Sequence, residues 1–167
     1  MLWTANHAAI PQELTKLTYN HIGDIDIVDG IIYGGLEAKN GNGALAMWNT
    51  SDLQMIKYKI TDEVDMPWVA IDVSTRKLYS CRWGDTDHLQ VYNMDTFDYL
   101  GTHDMLPGVL LPKDIQGGAF YEGEIYLATN IDDAVWKLNL QSGSLERVLS
   151  DGYPTHGYEV CLYCTLS

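Results

Sequence analysis

The chain has 167 residues, enough for one domain with a core, and its 46% hydrophobic content is that of a globular protein. Its 23 acidic residues outnumber its 10 basic ones and give a net charge of −13. This excess argues against nucleic acid and anionic membrane surfaces as partners, because both are bound mainly through lysine and arginine. No apolar run is long enough to span a membrane and no signal-peptide pattern is present, so the localisation stays unassigned.

The first 20 residues are predicted to form a lead-in segment. Residues 10–17 favour a short helical turn. Pro11 is expected at its first position, where the missing backbone N–H costs no helical hydrogen bond.

A repeat follows the lead-in segment. Three strand–turn–strand segments close with tyrosines that are 46 and 47 residues apart, at Tyr33, Tyr79 and Tyr126. Each is followed by a strand-like run that ends in an asparagine, and these are 44 and 46 residues apart, at Asn49, Asn93 and Asn139. A period of this size, filled with short strands and turns, is typical of a β-propeller blade.

The repeat therefore predicts an all-β fold, namely a β-propeller fragment of about three four-stranded antiparallel blades plus the first strand of a fourth. The blades are predicted at about residues 21–62, 66–105 and 115–150, and the extra strand at 156–160. In chain order the predicted strands are 24–28, 31–36, 44–48, 53–60, 68–73, 77–83, 88–93, 97–104, 117–121, 124–129, 135–140 and 145–149. Residues 161–167 form a divergent tail.

Turn residues support these boundaries. Asp29 and Gly30 predict a hairpin turn, because glycine readily adopts the positive φ that such turns need. The three repeated asparagines are expected to cap backbone groups where a strand meets a turn. Asn49-Thr-Ser51 also matches a glycosylation sequon, but its equivalence to Asn93 and Asn139 favours the capping role.

A closed propeller has roughly four to eight blades, so three blades and a single strand would leave two open edges. Open edges carry unpaired backbone groups that pair readily with another chain. We therefore expect a partial ring. It is either a truncated product of a longer gene or a half-ring that self-associates through its open blade edges.

Three segments carry a resemblance to known proteins. They are residues 20–24 with 30–33 (NHIGD and GIIY), residues 66–70 with Asp72 (MPWVA and D), and residues 115–121 (IQGGAFY). Together they resemble six-bladed propellers of the gluconolactonase, paraoxonase and NHL-repeat type, within the broader WD40/YVTN-like class. More narrowly, they resemble a largely uncharacterised propeller family. The similarity covers about residues 19–159 and implies further blades on both sides, so the chain looks truncated at both ends.

Candidate functional residues lie where each innermost strand starts, since these positions face the channel of a propeller. They are His21, Asp24, Asp65, Trp68, Gln116, His156 and Glu159. The resemblance to lactonase-type propellers implies that Asp24 and Glu159 could ligate Ca²⁺, which prefers oxygen ligands. Three alternatives stay open: polar residues that merely line a wet channel, a His21 that hydrogen-bonds a turn, and a Trp68 that packs in the core.

The cysteines and known catalytic motifs add little. Three cysteines give no disulfide framework, and Cys81 is expected to be a small buried residue. The CxxC spacing of Cys161 and Cys164 is a weak metal or redox signal without a second pair. The sequence has no nucleophile elbow, phosphate loop or zinc-protease helix.

The sequence therefore favours a β-propeller module that binds a ligand or a protein of unknown specificity, with no catalytic residues assigned. One alternative is a calcium-dependent lactonase or esterase-type hydrolase, in which Ca²⁺ polarises a carbonyl group and a histidine acts as general base. The other alternative is a nonfunctional truncated isoform.

Overall fold

The computed structural model describes residues 9–39, 41–130 and 134–149. Within these ranges there is one short helix, α1 (Gln12–Lys16), and the rest of the regular structure is β. The strands are β1 (Tyr19–Val28), β2 (Ile31–Ala38), β3 (Asn42–Asn49), β4 (Met55–Val64), β5 (Ala70–Asp72), β6 (Lys77–Ser80), β7 (His88–Asn93), β8 (Tyr99–Asp104), β9 (Ile115–Tyr121), β10 (Glu124–Thr129), β11 (Ala134–Asn139) and β12 (Leu145–Leu149).

These strands form three four-stranded antiparallel sheets, in which each strand pairs with its neighbours in sequence. The sheets are β1–β4, β5–β8 and β9–β12, which we call blades one, two and three. The predicted all-β fold, a fragment of a β-propeller, is thereby confirmed. In the part of the chain that the structure describes, no helix has the length and apolar character needed to cross a membrane.

The repeated tyrosines pack one blade against the next. Tyr33 of blade one meets Phe97 of blade two edge to face, with ring centroids 6.5 Å apart. Tyr79 of blade two stacks on Phe120 of blade three at 6.4 Å. Each pair lies in or against a separate hydrophobic core cluster between two blades, which explains why an aromatic residue recurs at this position.

The lead-in segment covers the other face of blade one. Leu14 of α1 is fully buried and packs in a third cluster with Leu36 and Trp48. The indole Nε1 of Trp48 donates a hydrogen bond of 2.8 Å to the carbonyl oxygen of Ala9. The predicted helical turn is present, but Pro11 stands at its N-cap rather than at the first helical position. Its φ of −59° and ψ of 152° are extended, so the helix starts one residue later.

The repeated asparagines form equivalent corners, as predicted. The side-chain oxygen of Asn93 accepts hydrogen bonds from the backbone N–H groups of Asp95 and Thr96, at 2.9 and 3.0 Å. Asn49 and Asn139 bond in the same way to residues two or three positions later. The corner also requires a left-handed residue four positions after each asparagine, with φ of 58° at Leu53, 61° at Phe97 and 66° at Gly143.

Several strands differ from their predicted bounds, and the differences at β1 and β5 concern innermost strands. β1 begins at Tyr19, five residues before the predicted start at residue 24, and two register irregularities let it follow β2 to Ala38. β5 is limited to Ala70–Asp72 although residues 68–73 were predicted. Before β5, the carbonyl oxygen of Trp68 accepts a hydrogen bond of 2.5 Å from the hydroxyl of Ser80, so a side chain takes the place of the backbone ladder.

The innermost strands of the three blades, β1, β5 and β9, are all in contact with one another. Gly118 on β9 lies so close to Trp68 that a Cβ atom at this position would overlap the indole ring. Glycine is therefore required here by close approach and not by backbone conformation. This contact brings blade three against blade two at the centre of the molecule.

Gly118→Ala is expected to lower the free energy of unfolding by about 3 kcal/mol or more, because the new methyl group must displace the buried Trp68 ring. Urea unfolding measures this change. Gly41→Ala is the matched control, since its Cβ would lie 3.2 Å from the Cβ of Ala38, and we expect a change of at most about 1 kcal/mol. Equal stability of the two variants would contradict the packing described here.

Asn93→Ala removes the two hydrogen bonds that hold the corner of blade two and should cost about 1 kcal/mol of unfolding free energy. Asn20→Ala, at an exposed position of β1, is the control and should change stability by less than about 0.5 kcal/mol. Thermal or urea unfolding distinguishes the two. If Asn93→Ala is as stable as the control, the backbone hydrogen bonds alone are enough to hold the corner.

Candidate functional site

One open pocket lies where the innermost strands begin, with a volume of about 310 Å³. We call it the strand-start pocket. It is lined by one imidazole, two carboxylates, one indole and one amide, from His21, Glu37, Asp65, Trp83 and Gln116. Three of these residues, His21, Asp65 and Gln116, were singled out from the sequence, and the structure brings them together.

All three blades contribute residues to this pocket. His21 on β1 pairs with Glu37 on β2, and this pairing depends on the register irregularities on either side of it. Gln116 is the second residue of β9, and Asp65 follows β4 directly. Asp65 itself has a left-handed backbone, with φ of 47°. Such a conformation is costly for a non-glycine residue, so the surrounding structure must hold it in place.

The pocket carries uncompensated negative charge. Among the described residues, the salt bridges all lie elsewhere, and neither Glu37 nor Asp65 pairs with a lysine or arginine. Burial raises the pKa of the Glu37 carboxyl above its ordinary value, the charge of His21 opposes this rise, and the charge of Asp65 adds to it. The three groups therefore interact electrostatically. A proton or another cation in the pocket would reduce the repulsion between the two carboxylates.

Asp24 does not line the strand-start pocket. Its side chain is only 3% exposed, and its two oxygens accept hydrogen bonds of 3.0 Å from the backbone N–H groups of Ile25 and Gly118. Asp26, two residues later, accepts a hydrogen bond of 3.1 Å from the N–H of Ile71 on β5. These two carboxylates thus tie β1 to the innermost strands of both other blades.

Trp68 is fully buried between blades two and three and also lies outside the pocket. Of the two roles considered for this residue, the structure therefore gives it core packing. Cys81 is 1% exposed in the same cluster, as expected for a small buried residue. Burial raises the pKa of its thiol to about 12, and the negative charge of Glu63 adds to the rise. The thiol is accordingly uncharged at neutral pH.

His156, Glu159 and the two cysteines of the CxxC spacing, Cys161 and Cys164, lie outside the described residues, as does the predicted strand 156–160. Within residues 9–39, 41–130 and 134–149, no three His, Cys, Asp or Glu side chains are grouped so that they could hold a metal ion. The described residues, including Asp24 with its amide-bonded carboxylate, do not by themselves fit a Ca²⁺ site, which needs six to eight oxygen ligands.

Glu37 and Trp83 belong to the pocket but were missed from the sequence. Glu37 could have been found as the cross-strand neighbour of His21, but the uninterrupted register set by the Asp29–Gly30 turn would pair His21 with Ala38 instead. Trp83 was assigned to the end of a strand. The strand ends at Ser80, and Trp83 lies in the following loop with 39% of its surface exposed.

A second cavity, of about 220 Å³, lies between blades one and two. Its walls include Thr61 and Glu63 of β4 and Gln90 of β7. The amide nitrogen of Gln90 donates a hydrogen bond of 2.7 Å to the carboxylate of Glu63 across this cavity. Because its polar groups bond to each other between the blades, we regard it as part of the blade interface.

Comparisons with known proteins give no family for this chain. No family model matches it, and no curated protein is similar. Among solved structures, it is similar to the computationally designed Ika8 protein, with a TM-score of 0.48 and 14% sequence identity over 75% of this chain. The chain spans 35% of the length of that designed protein.

The half-buried carboxylate of Asp26 gives a testable dependence of stability on pH. Burial raises its pKa, and the N–H groups of Ile27 and Ile71 oppose this rise without cancelling it. The folded state therefore binds this proton more tightly than the unfolded state, and the resulting stabilisation is lost as the pH rises through the raised pKa. At pH 7 the ionised group costs stability.

Asp26→Asn removes the charge and keeps one oxygen for the hydrogen bond from Ile71, while the exposed N–H of Ile27 loses its carboxylate acceptor. We expect this variant to be more stable than the wild type near pH 7, and the difference to shrink on acidification to about pH 4. Urea unfolding at both pH values measures it, with Asp104→Asn at the exposed end of β8 as the control for charge loss. A less stable Asp26→Asn at pH 7 would mean that the charged hydrogen bond outweighs the cost of burial.

Proposed function

We propose that this protein is a β-propeller binding module and that the strand-start pocket is its binding site for a small ligand. The observation that carries this proposal is the convergence of five chemically varied side chains from three blades on one cavity of about 310 Å³. Concave sites with a few convergent polar groups are the usual form of small-molecule sites in proteins. We also propose that the chain is related to gluconolactonase, paraoxonase and NHL-type propellers, which its sequence resembles.

The position of the pocket adds support. Its side chains lie near the ends of strands and on loops, where substitutions disturb a blade least, while the blade interiors beside it are filled by tyrosine, leucine and tryptophan. Functional residues on loops held by a rigid scaffold are common in β folds. By contrast, the second cavity is bridged by the hydrogen bond between Gln90 and Glu63.

Titration of the ¹⁵N-labelled full chain with small polar probes tests this function. The probes are choline, acetate and glucose, each followed by chemical-shift changes in two-dimensional NMR spectra. We expect at least one probe to shift the signals of His21, Trp83 and Gln116 in a saturable way. Shifts that are absent, or that scatter over the surface without saturation, would contradict the proposal.

Gln116→Leu provides the matched variant, because it removes an amide from the pocket at nearly constant size. We expect it to weaken binding of the responsive probe by about tenfold, the effect of one or two lost hydrogen bonds. Gln54→Leu, at an exposed turn position of blade one, is the control and should leave the affinity unchanged. Equal loss in both variants would indicate a nonspecific effect.

A further inference from the structure

We propose that the ligand of the strand-start pocket is a small organic cation that carries a substituted ammonium group, an inference that rests on the binding function proposed above. The pocket offers two carboxylates, from Glu37 and Asp65, and an indole, from Trp83. Carboxylates attract a cation by charge, and the face of a tryptophan attracts it through the ring quadrupole. Among the residues that the structure describes, no lysine or arginine lines the pocket to compete for these groups.

The charges of the pocket favour a cation over a neutral ligand. Glu37 is half-buried, and neither it nor Asp65 has a salt-bridge partner in the described part of the chain. Burial raises the pKa of Glu37, the charge of His21 opposes this rise, and the carboxylate of Asp65 adds to it, so the two negative charges repel one another. A cation between them offsets this repulsion and the cost of burying Glu37. A neutral sugar or alcohol would leave both costs in place.

The aromatic wall favours an organic cation over a bare metal ion. Trp83 exposes 39% of its surface beside the carboxylates, so its apolar ring is available to a ligand. Methyl or methylene groups around an ammonium nitrogen pack on such a ring, whereas a hydrated metal ion does not. The described side chains also contain no grouping of three metal-ligating residues, which a metal ion would need.

The overall charge of the protein also favours a cationic ligand. A net charge of −13 gives a negative potential around the molecule, which raises the local concentration of cations and their rate of encounter with the pocket. This long-range effect is screened by salt, with a decay length of about 10 Å at 0.1 M. It helps any cation, so selectivity must come from the pocket itself.

The test compares choline with 3,3-dimethyl-1-butanol, in which carbon replaces the charged nitrogen at the same shape. Each compound is titrated into the full-length wild-type chain at constant ionic strength and followed by NMR. We expect choline to shift the signals of the pocket residues saturably and the neutral compound to bind them at least about tenfold more weakly. Equal affinities for both compounds would overturn the inference.

Two variants assign the effect to the proposed groups. Glu37→Gln removes a charge and Trp83→Leu removes the aromatic face, and each should weaken choline binding by about tenfold. Glu13→Gln, which removes one charge from α1 without touching the pocket lining, is the control and should bind choline as the wild type does. Thermal unfolding of each variant checks that it is folded, and the choline comparison on the wild type does not depend on any variant.

The outcomes separate this inference from the proposed function. If glucose or acetate binds the pocket and choline does not, the pocket is a binding site but the cation assignment is wrong. If none of the probes shifts the pocket signals, both proposals fail. If choline shifts signals only outside the pocket, its binding reflects the net charge of the surface, and the inference again fails.

Discussion

The structure depends on the way in which β1 bonds to both other innermost strands. Two carboxylates on the same side of this strand, Asp24 and Asp26, accept backbone N–H groups from Gly118 of β9 and Ile71 of β5. A backbone N–H that is buried without a partner costs free energy. These hydrogen bonds therefore fix both the position of blades two and three along β1 and their distance from it. The absence of a side chain at Gly118 lets the ring of Trp68 fill the remaining space.

This central arrangement sets where polar groups can act. Asp24 was expected at a strand start that faces a channel, yet it lies in the middle of β1 and its carboxylate accepts hydrogen bonds from backbone N–H groups. His21, three residues earlier on the same strand, is exposed. The same short segment therefore supplies one structural residue and one residue of the strand-start pocket. Both side chains are polar, so their different roles follow from burial, since Asp24 is buried and His21 is exposed.

Much of the fold was predictable because the signals are local and repeated. The tyrosine and asparagine of each blade recur at a nearly constant spacing, and both roles depend on contacts within or between adjacent blades. The hairpin at Asp29–Gly30 is present, with φ of 50° and 79° at the two residues. The candidate site was only partly predictable. His21, Asp65 and Gln116 follow from strand order, whereas Glu37 and Trp83 reach the pocket through an irregular register and a loop.

The sequence by itself determined the number, order and composition of the described blades, because alternating burial, turn residues and corner caps act over a few residues. Only the tertiary structure decided which carboxylates hold the blades together and which remain available in a pocket. That distinction depends on how closely β1, β5 and β9 approach one another. Such distances are set by packing between residues as far apart as Asp24 and Gly118, which no local pattern encodes.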